Sequence, residues 1–190
     1  MFDGFLRVAA ATPDIRVADC NFNGASAAAL VSEAYEQGVS LLVLPELCLT
    51  GYTCSDLFLQ ESLLDGAGKA LLTLTEATRD KNMVVLAGLP LTVNGVLYNV
   101  AAVLHDGDIL GFVPKSYLPT YSEFYEGRHY HSGADIETDV LFNGRMYPFG
   151  TRLLFRCRQM PAFTLGIEIC EDLWVAQPPS ISHALAGATV

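Results

Sequence analysis

Apolar and polar positions along this chain separate into two periods, and the elements follow from them. Leu6–Ala11 reads as a first strand. An alanine-rich stretch from about Ala25 to Gln37, with Asn21 or Asn23 as its cap and Gly38 as its stop, predicts a helix. Ser40–Pro45 is a near-continuous apolar run of the kind buried in a sheet. A second helix is expected around Ala67–Asp80, followed by a strand over Met83–Leu89. Asn94-Gly95 is a hairpin signal between Leu91–Val93 and Val96–Leu104. Asp106-Gly107-Asp108 turns the chain into a strand at Ile109–Val113, a turn rather than a cation site. Asn143-Gly144 and the apolar patches Leu153–Phe155 and Phe163–Ile169 predict a further hairpin region and a last strand. The expected architecture is α/β, a mixed sheet with helices packed outside and β-rich additions.

Two stretches break the pattern. Ser116–Glu137 is polar, aromatic and irregular, long for a connection and therefore expected to be functional. Phe163–Ile169 is apolar but for Glu168, long enough for a strand and too short for a buried helix. It stops at Cys170 and gives way to the acidic pair Glu171-Asp172. Such a cysteine stands at a sheet rim, where open α/β sheets hold their ligand sites.

Composition narrows the classes. With 51% hydrophobic and 17% charged residues, the sheet is expected to be covered on both faces, or part of the surface to be an interface. A net charge of −10 and a pI near 4.6 exclude a nucleic-acid partner, since no basic stripe exists to neutralise phosphates. Met1-Phe2-Asp3-Gly4 lacks the charged start of a signal peptide. The longest apolar run, Leu41–Leu49, is broken by Pro45 and Glu46, so no membrane span is expected. Five cysteines suggest neither a disulfide ladder nor a zinc site, and the cytoplasm is the expected compartment. His129-x-His131 has no further ligand at metal spacing, and no Gly-rich phosphate loop is present.

Three strands end in chemically capable side chains: Pro45-Glu46, Pro114-Lys115 and Ile169-Cys170. Singly, these are a solvated strand end, a solvent-facing lysine and a packing thiol. Together they are most economically one site, a thiol with a base to take its proton and a cation to favour the anion. Cys48 and Cys54 read as packing residues, and Tyr117, Tyr121, Phe124, Tyr125 and Tyr130 as loop aromatics.

Pro45-Glu46-Leu-Cys-Leu-Thr-Gly-Tyr52, Phe112-Val-Pro-Lys115 and Gly166-Ile-Glu-Ile-Cys170-Glu-Asp-Leu-Trp174 resemble, in order, the three catalytic segments of the carbon–nitrogen hydrolase (nitrilase) superfamily. Gly51-Tyr-Thr-Cys-Ser-Asp-Leu-Phe58, Leu118-Pro-Thr-Tyr-Ser-Glu-Phe-Tyr-Glu126 and Cys170–Trp174 are similar to the glutaminase domains of glutamine-dependent NAD⁺ synthetases. The resemblance implies an α-β-β-α sandwich and hydrolysis of L-glutamine through a cysteine thioester. It implies Glu46 as general base, Lys115 as the positive group and Cys170 as nucleophile. Tyr121 and Phe124 fall where the family lines its glutamine pocket, and Glu126 where it supports the lysine. The oxyanion of such a reaction needs donors, and the Lys115 ammonium and the Glu171 N–H are the candidates. It further implies a homo-oligomer that hands ammonia to a synthetase domain, where ATP and Mg are expected; no cofactor is expected in this domain. The family's domain continues past the position of Val190, with a serine and an arginine in its pocket. Residues 1–190 are therefore expected to be a glutaminase domain incomplete at its C-terminus, without the synthetase domain. The alternatives are an amidase of the same superfamily with another small substrate, and an inactive truncated fragment.

Overall fold

A computed structural model of the chain describes residues 5–190; the reading of Met1–Gly4 lies outside the described residues. The elements run β1 (Val8–Ala10), α1 (Cys20–Glu36), β2 (Leu41–Val43), α2 (Glu61–Ala77), β3 (Val84–Val93), β4 (Val96–His105), β5 (Asp108–Pro114), α3 (Glu126–His129), β6 (Glu137–Phe142), β7 (Arg145–Gly150), β8 (Phe155–Arg156), β9 (Thr164–Leu165) and α4 (Pro179–Leu185). Short 3₁₀ turns cover Ser55–Leu59 and Cys170–Trp174. The main sheet has the order β1-β2-β3-β4-β5-β7-β6, and β8 pairs with β9 separately.

β1, β2 and β3 are parallel, which requires crossovers, and α1 and α2 supply them. β3, β4 and β5 form an antiparallel meander. Its two-residue loops put Asn94 at φ 51° with Gly95 at 79°, and Asp106 at 50° with Gly107 at 76°. Asn143 and Gly144, at 47° and 78°, close the β6–β7 hairpin the same way. Positive φ at both loop residues is what a type I′ turn demands, and Asn-Gly and Asp-Gly tolerate it.

Side chains alternate between two cores. Val85, Ala87, Val100, Ala102 and Leu104 face α1 and α2, among Val31, Leu71 and Leu74. Leu86, Ala101, Val103 and Val113 face the opposite way and meet Phe163, Leu165, Ile167 and Ile169. Both faces of the central strands are buried, so their sequences read as unbroken apolar runs. The layers are helices, the seven-stranded sheet, then the small β8–β9 sheet with α4.

Four details differ from the expectation. α2 runs Glu61–Ala77, starting and ending earlier than the expected Ala67–Asp80. α1 starts at Cys20 because Asp19 is its cap, its side chain accepting the Phe22 N–H at 3.1 Å. Asn23, a candidate cap, is buried instead and brackets Arg16, donating to its carbonyl at 2.9 Å and accepting its N–H at 2.8 Å. Of the expected strand Phe163–Ile169, only Thr164–Leu165 is laddered. Beyond it the Gly166 N–H goes to the Val190 carbonyl at 2.9 Å, and burial of Ile167 and Ile169 against the main sheet holds the segment.

Candidate active site

β2 leads to Pro45, which cannot extend a ladder, and Glu46 follows at the sheet's end. The turn from Glu46 to Gly51 lies directly on β3, its Leu49 N–H donating to the Gly88 carbonyl at 3.2 Å. A side chain on Gly88 would drive its Cβ into the backbone of Pro45 and Leu47, so only glycine lets the turn sit that close. On the other side of the meander, β5 ends at Pro114 and the Lys115 N–H donates to the Asn99 carbonyl of β4 at 2.9 Å. The register of β3, β4 and β5 thus carries Glu46, Asn99 and Lys115 to one place.

Lys115 is fully buried, and its Nζ donates to Glu46 Oε1 at 2.6 Å and to Glu126 Oε1 at 2.7 Å. Glu46 keeps 16% of its side chain exposed, Glu126 only 4%. Asn99 Nδ2 also donates to Glu46 Oε1, at 2.6 Å, and Tyr52 OH to Glu126 Oε1, at 2.7 Å. Burial is the strongest influence on Lys115 and pulls its pKa down, yet the two carboxylates outweigh it and hold the ammonium above its ordinary range. Burial and the bond to Glu126 push the Tyr52 phenol far up, so it remains a donor.

Cys170 is exposed and opens the second 3₁₀ turn at φ 48°, left-handed for a non-glycine residue. What holds that turn is Asp172. Buried itself, it accepts the Ser116 N–H at 3.0 Å and the Tyr117 N–H at 2.8 Å through Oδ1, and the Ile169 N–H at 3.0 Å through Oδ2. Burial raises its carboxyl pKa, while these N–H donors pull it back. The Cys170 thiol is raised above its ordinary value, by partial burial first and then by the Glu46 carboxylate, with Lys115 acting against both. A thiol so placed rests protonated and needs a base. Among the described residues the Glu171 N–H has no acceptor. The buried Cys48 thiol is pushed up to about 11 by burial, which leaves it inert at neutral pH.

Glu46, Glu168 and Cys170 border a cavity of about 260 Å³ whose other walls, Leu44, Ala87, Ala101, Ile167 and Ile169 among them, are apolar. Tyr121 OH donates to Glu171 Oε2 at 2.9 Å. Phe124 stands edge-on to Tyr121 and Tyr52, with centroids 5.7 and 6.3 Å away, so Tyr121, Phe124 and Tyr52 form a row ending at Glu126. His129 meets Asp56 at 3.1 Å beside a bidentate Arg128. Among the described residues no group of three His, Cys, Asp or Glu side chains could hold a metal ion, and no helix is long and apolar enough to cross a membrane.

All seven residues singled out in the sequence lie around this point, in two groups: Glu46, Lys115, Glu126 and Cys170 at the centre, and Tyr121, Phe124 and Glu171 at its rim. Tyr52, Asn99 and Asp172 belong with them and were not singled out. Asn99 had a signal, as an amide interrupting the apolar strand Val96–Leu104. Asp172 had only its place two residues after the cysteine, where an acid reads as exposed.

The profile of the carbon–nitrogen hydrolase family matches residues 7–190. The chain is 46% identical over 187 residues to the glutamine-dependent NAD(+) synthetase of Mycobacterium tuberculosis, covering 98% of this chain and 28% of that protein. The chain thus spans under a third of the length of the curated relatives it matches. The crystal structure of a glutamine-dependent NAD(+) synthetase from Cytophaga hutchinsonii superposes with a TM-score of 0.84 at 30% identity, over 97% of this chain and 29% of that one. An amidase from Nesterenkonia sp. superposes with a TM-score of 0.57 at 24% identity, over 75% of this chain and 54% of its own, which shows a shared fold.

Proposed function

The chain belongs to the carbon–nitrogen hydrolase family, and from that premise we propose that it hydrolyses the side-chain amide of L-glutamine through Cys170, as the ammonia-releasing part of a glutamine-dependent NAD⁺ synthetase. The supporting observation is the convergence of Glu46 and Lys115, 2.6 Å apart, beside the Cys170 thiol at a cavity mouth.

Glu46 takes the Sγ proton as sulfur attacks the carboxamide carbon. The C=O electrons move onto oxygen, where the charge is met by the Glu171 N–H and by Lys115. An ammonium has three donors, and two of those on Lys115 are spent on Glu46 and Glu126, leaving one for the oxyanion. A preorganised donor of this kind is worth about 10²–10³ in rate. Collapse breaks the C–N bond, Glu46 returns its proton to the departing ammonia, and a thioester remains. Glu46 then deprotonates water, which attacks the thioester; glutamate leaves and the thiol regains its proton. Tyr121, Phe124 and Glu171 line the glutamine side of the site, and Glu126 holds the lysine. The ammonia passes to an ATP-dependent synthetase domain. The exposed apolar side chains of Trp174 and Leu185 support assembly into a homo-oligomer; light scattering reads its mass.

A coupled glutamate assay tests the reading: glutamate is produced, and Cys170→Ala produces none. One observation favours a second substrate class. Beyond Glu46 and Glu168, the walls of the cavity beside Cys170 are apolar and suit a short aliphatic acyl group, so release of ammonia from an aliphatic amide without release from glutamine would select an amidase.

A further inference from the structure

Glu46 Oε1 receives two donors at the same 2.6 Å, Lys115 Nζ and Asn99 Nδ2. Two short, strong donors occupy both lone pairs of one carboxylate oxygen. Oε1 is then saturated, and proton exchange with Cys170 falls to Oε2. We propose that Asn99 is a positioning residue for the reaction: it fixes which oxygen of Glu46 serves as the base. The inference rests on Glu46 as the base.

Asn99 is suited to this by its place. It is 1% exposed, mid-strand in β4, opposite Pro90 of β3. Its carbonyl takes the Lys115 N–H, so one residue ties down the lysine backbone and the carboxylate the lysine pairs with. The amide orientation is forced, because a carboxylate accepts and only Nδ2 donates. The consequence is that Asn99 Oδ1 lies buried without a partner. A buried polar side chain left half-satisfied is not what packing alone selects; an apolar residue of the same size would fill the strand without an orphan acceptor. Lys115 alone, also bound to Glu126, leaves the Glu46 carboxylate free to swivel about its last torsion. The amide locks it.

A donor to the ionised form lowers a carboxyl pKa, so its removal raises it. The readout is the pH dependence of Cys170 carboxamidomethylation by iodoacetamide, followed by mass spectrometry, with glutamine turnover measured in parallel. The acid limb of alkylation belongs to the Glu46–Cys170 pair, since the protonated thiol reacts only when Glu46 is in its basic form and can take the proton. Asn99→Leu should move that limb up by about one pH unit, the size expected for losing a hydrogen bond to a charged group. It should also lower kcat for glutamine with little change in KM. Asn99→Asp, matched in shape, should move the limb in the same direction, because two carboxyl groups then share the position. In a Glu46→Gln background the limb should be absent and Asn99→Leu should change nothing further. Thermal melts verify that each variant folds. A wild-type limb in folded Asn99→Leu and Asn99→Asp, with the limb lost in Glu46→Gln, overturns the role of Asn99 and leaves Glu46 as the base. An unchanged limb in Glu46→Gln overturns the reading of Glu46 itself.

Discussion

Asp172 Oδ1 accepts the Tyr117 N–H at 2.8 Å, and this bond joins the turn carrying Cys170 to the segment that follows Lys115. With the Ser116 and Ile169 N–H groups on the same carboxylate, nucleophile and cation are fixed relative to each other by one buried side chain.

Asp172→Ala strands the buried Ser116 and Ile169 N–H groups, each costing about 1–3 kcal/mol when left without a partner, and the part-buried Tyr117 N–H. Urea unfolding should show a loss of roughly 2 kcal/mol or more with an unchanged m-value. Cys170 would also be free to leave its left-handed conformation, so turnover should fall in whatever fraction remains folded.

Lys115→Met leaves two carboxylates facing a site with no cation, and breaking a buried pair in this way costs about 3–5 kcal/mol. Lys115→Arg should not restore activity: a planar fork cannot meet Glu46 Oε1, Glu126 Oε1 and an oxyanion from one point. Denaturation and the glutamate assay together separate the two effects.

How much of this was legible beforehand depended on how local the cause was. The three Asn-Gly and Asp-Gly turns, the apolar central strands and the strand-ending Glu46, Lys115 and Cys170 are written in short stretches, and the pattern finds them. Asp19 as helix cap was missed because Asn21 and Asn23 are as suitable by type; only the tertiary bracket around Arg16 takes Asn23 away. The apolar run Phe163–Ile169 extends beyond the paired strand because such a run does not say whether a neighbouring strand is there to pair with. Asp172 was read as rim polarity, since nothing within its own segment reveals the three N–H groups that let it be buried.

Gly88→Ala places a methyl group against the Pro45 and Leu47 backbone and must displace the turn bearing Glu46. A shift of about 1 Å at a catalytic group costs on the order of 10²-fold. The expectation is a fall in kcat with the fold retained, read by steady-state kinetics beside circular dichroism.

The Cys170 thiol should ionise above the ordinary value of about 8.5, because burial and the Glu46 carboxylate both oppose the thiolate. Glu46→Gln removes the second cause, so the main alkaline rise of alkylation should move to lower pH. Lys115→Met removes the opposing cation and should move it to higher pH. Iodoacetamide rates on Cys170 between pH 6 and 11 give both shifts, and opposite directions are the signature of a thiol lying between the two charges.

The most direct measurement is covalent trapping with a diazoketone analogue of glutamine, followed by peptide mass mapping. Cys170 as the nucleophile of a glutamine site predicts a single adduct, on Cys170, suppressed by excess glutamine and absent in Cys170→Ala. A label on Cys48, Cys54 or Cys157, or a Cys170 label that glutamine does not suppress, would contradict it.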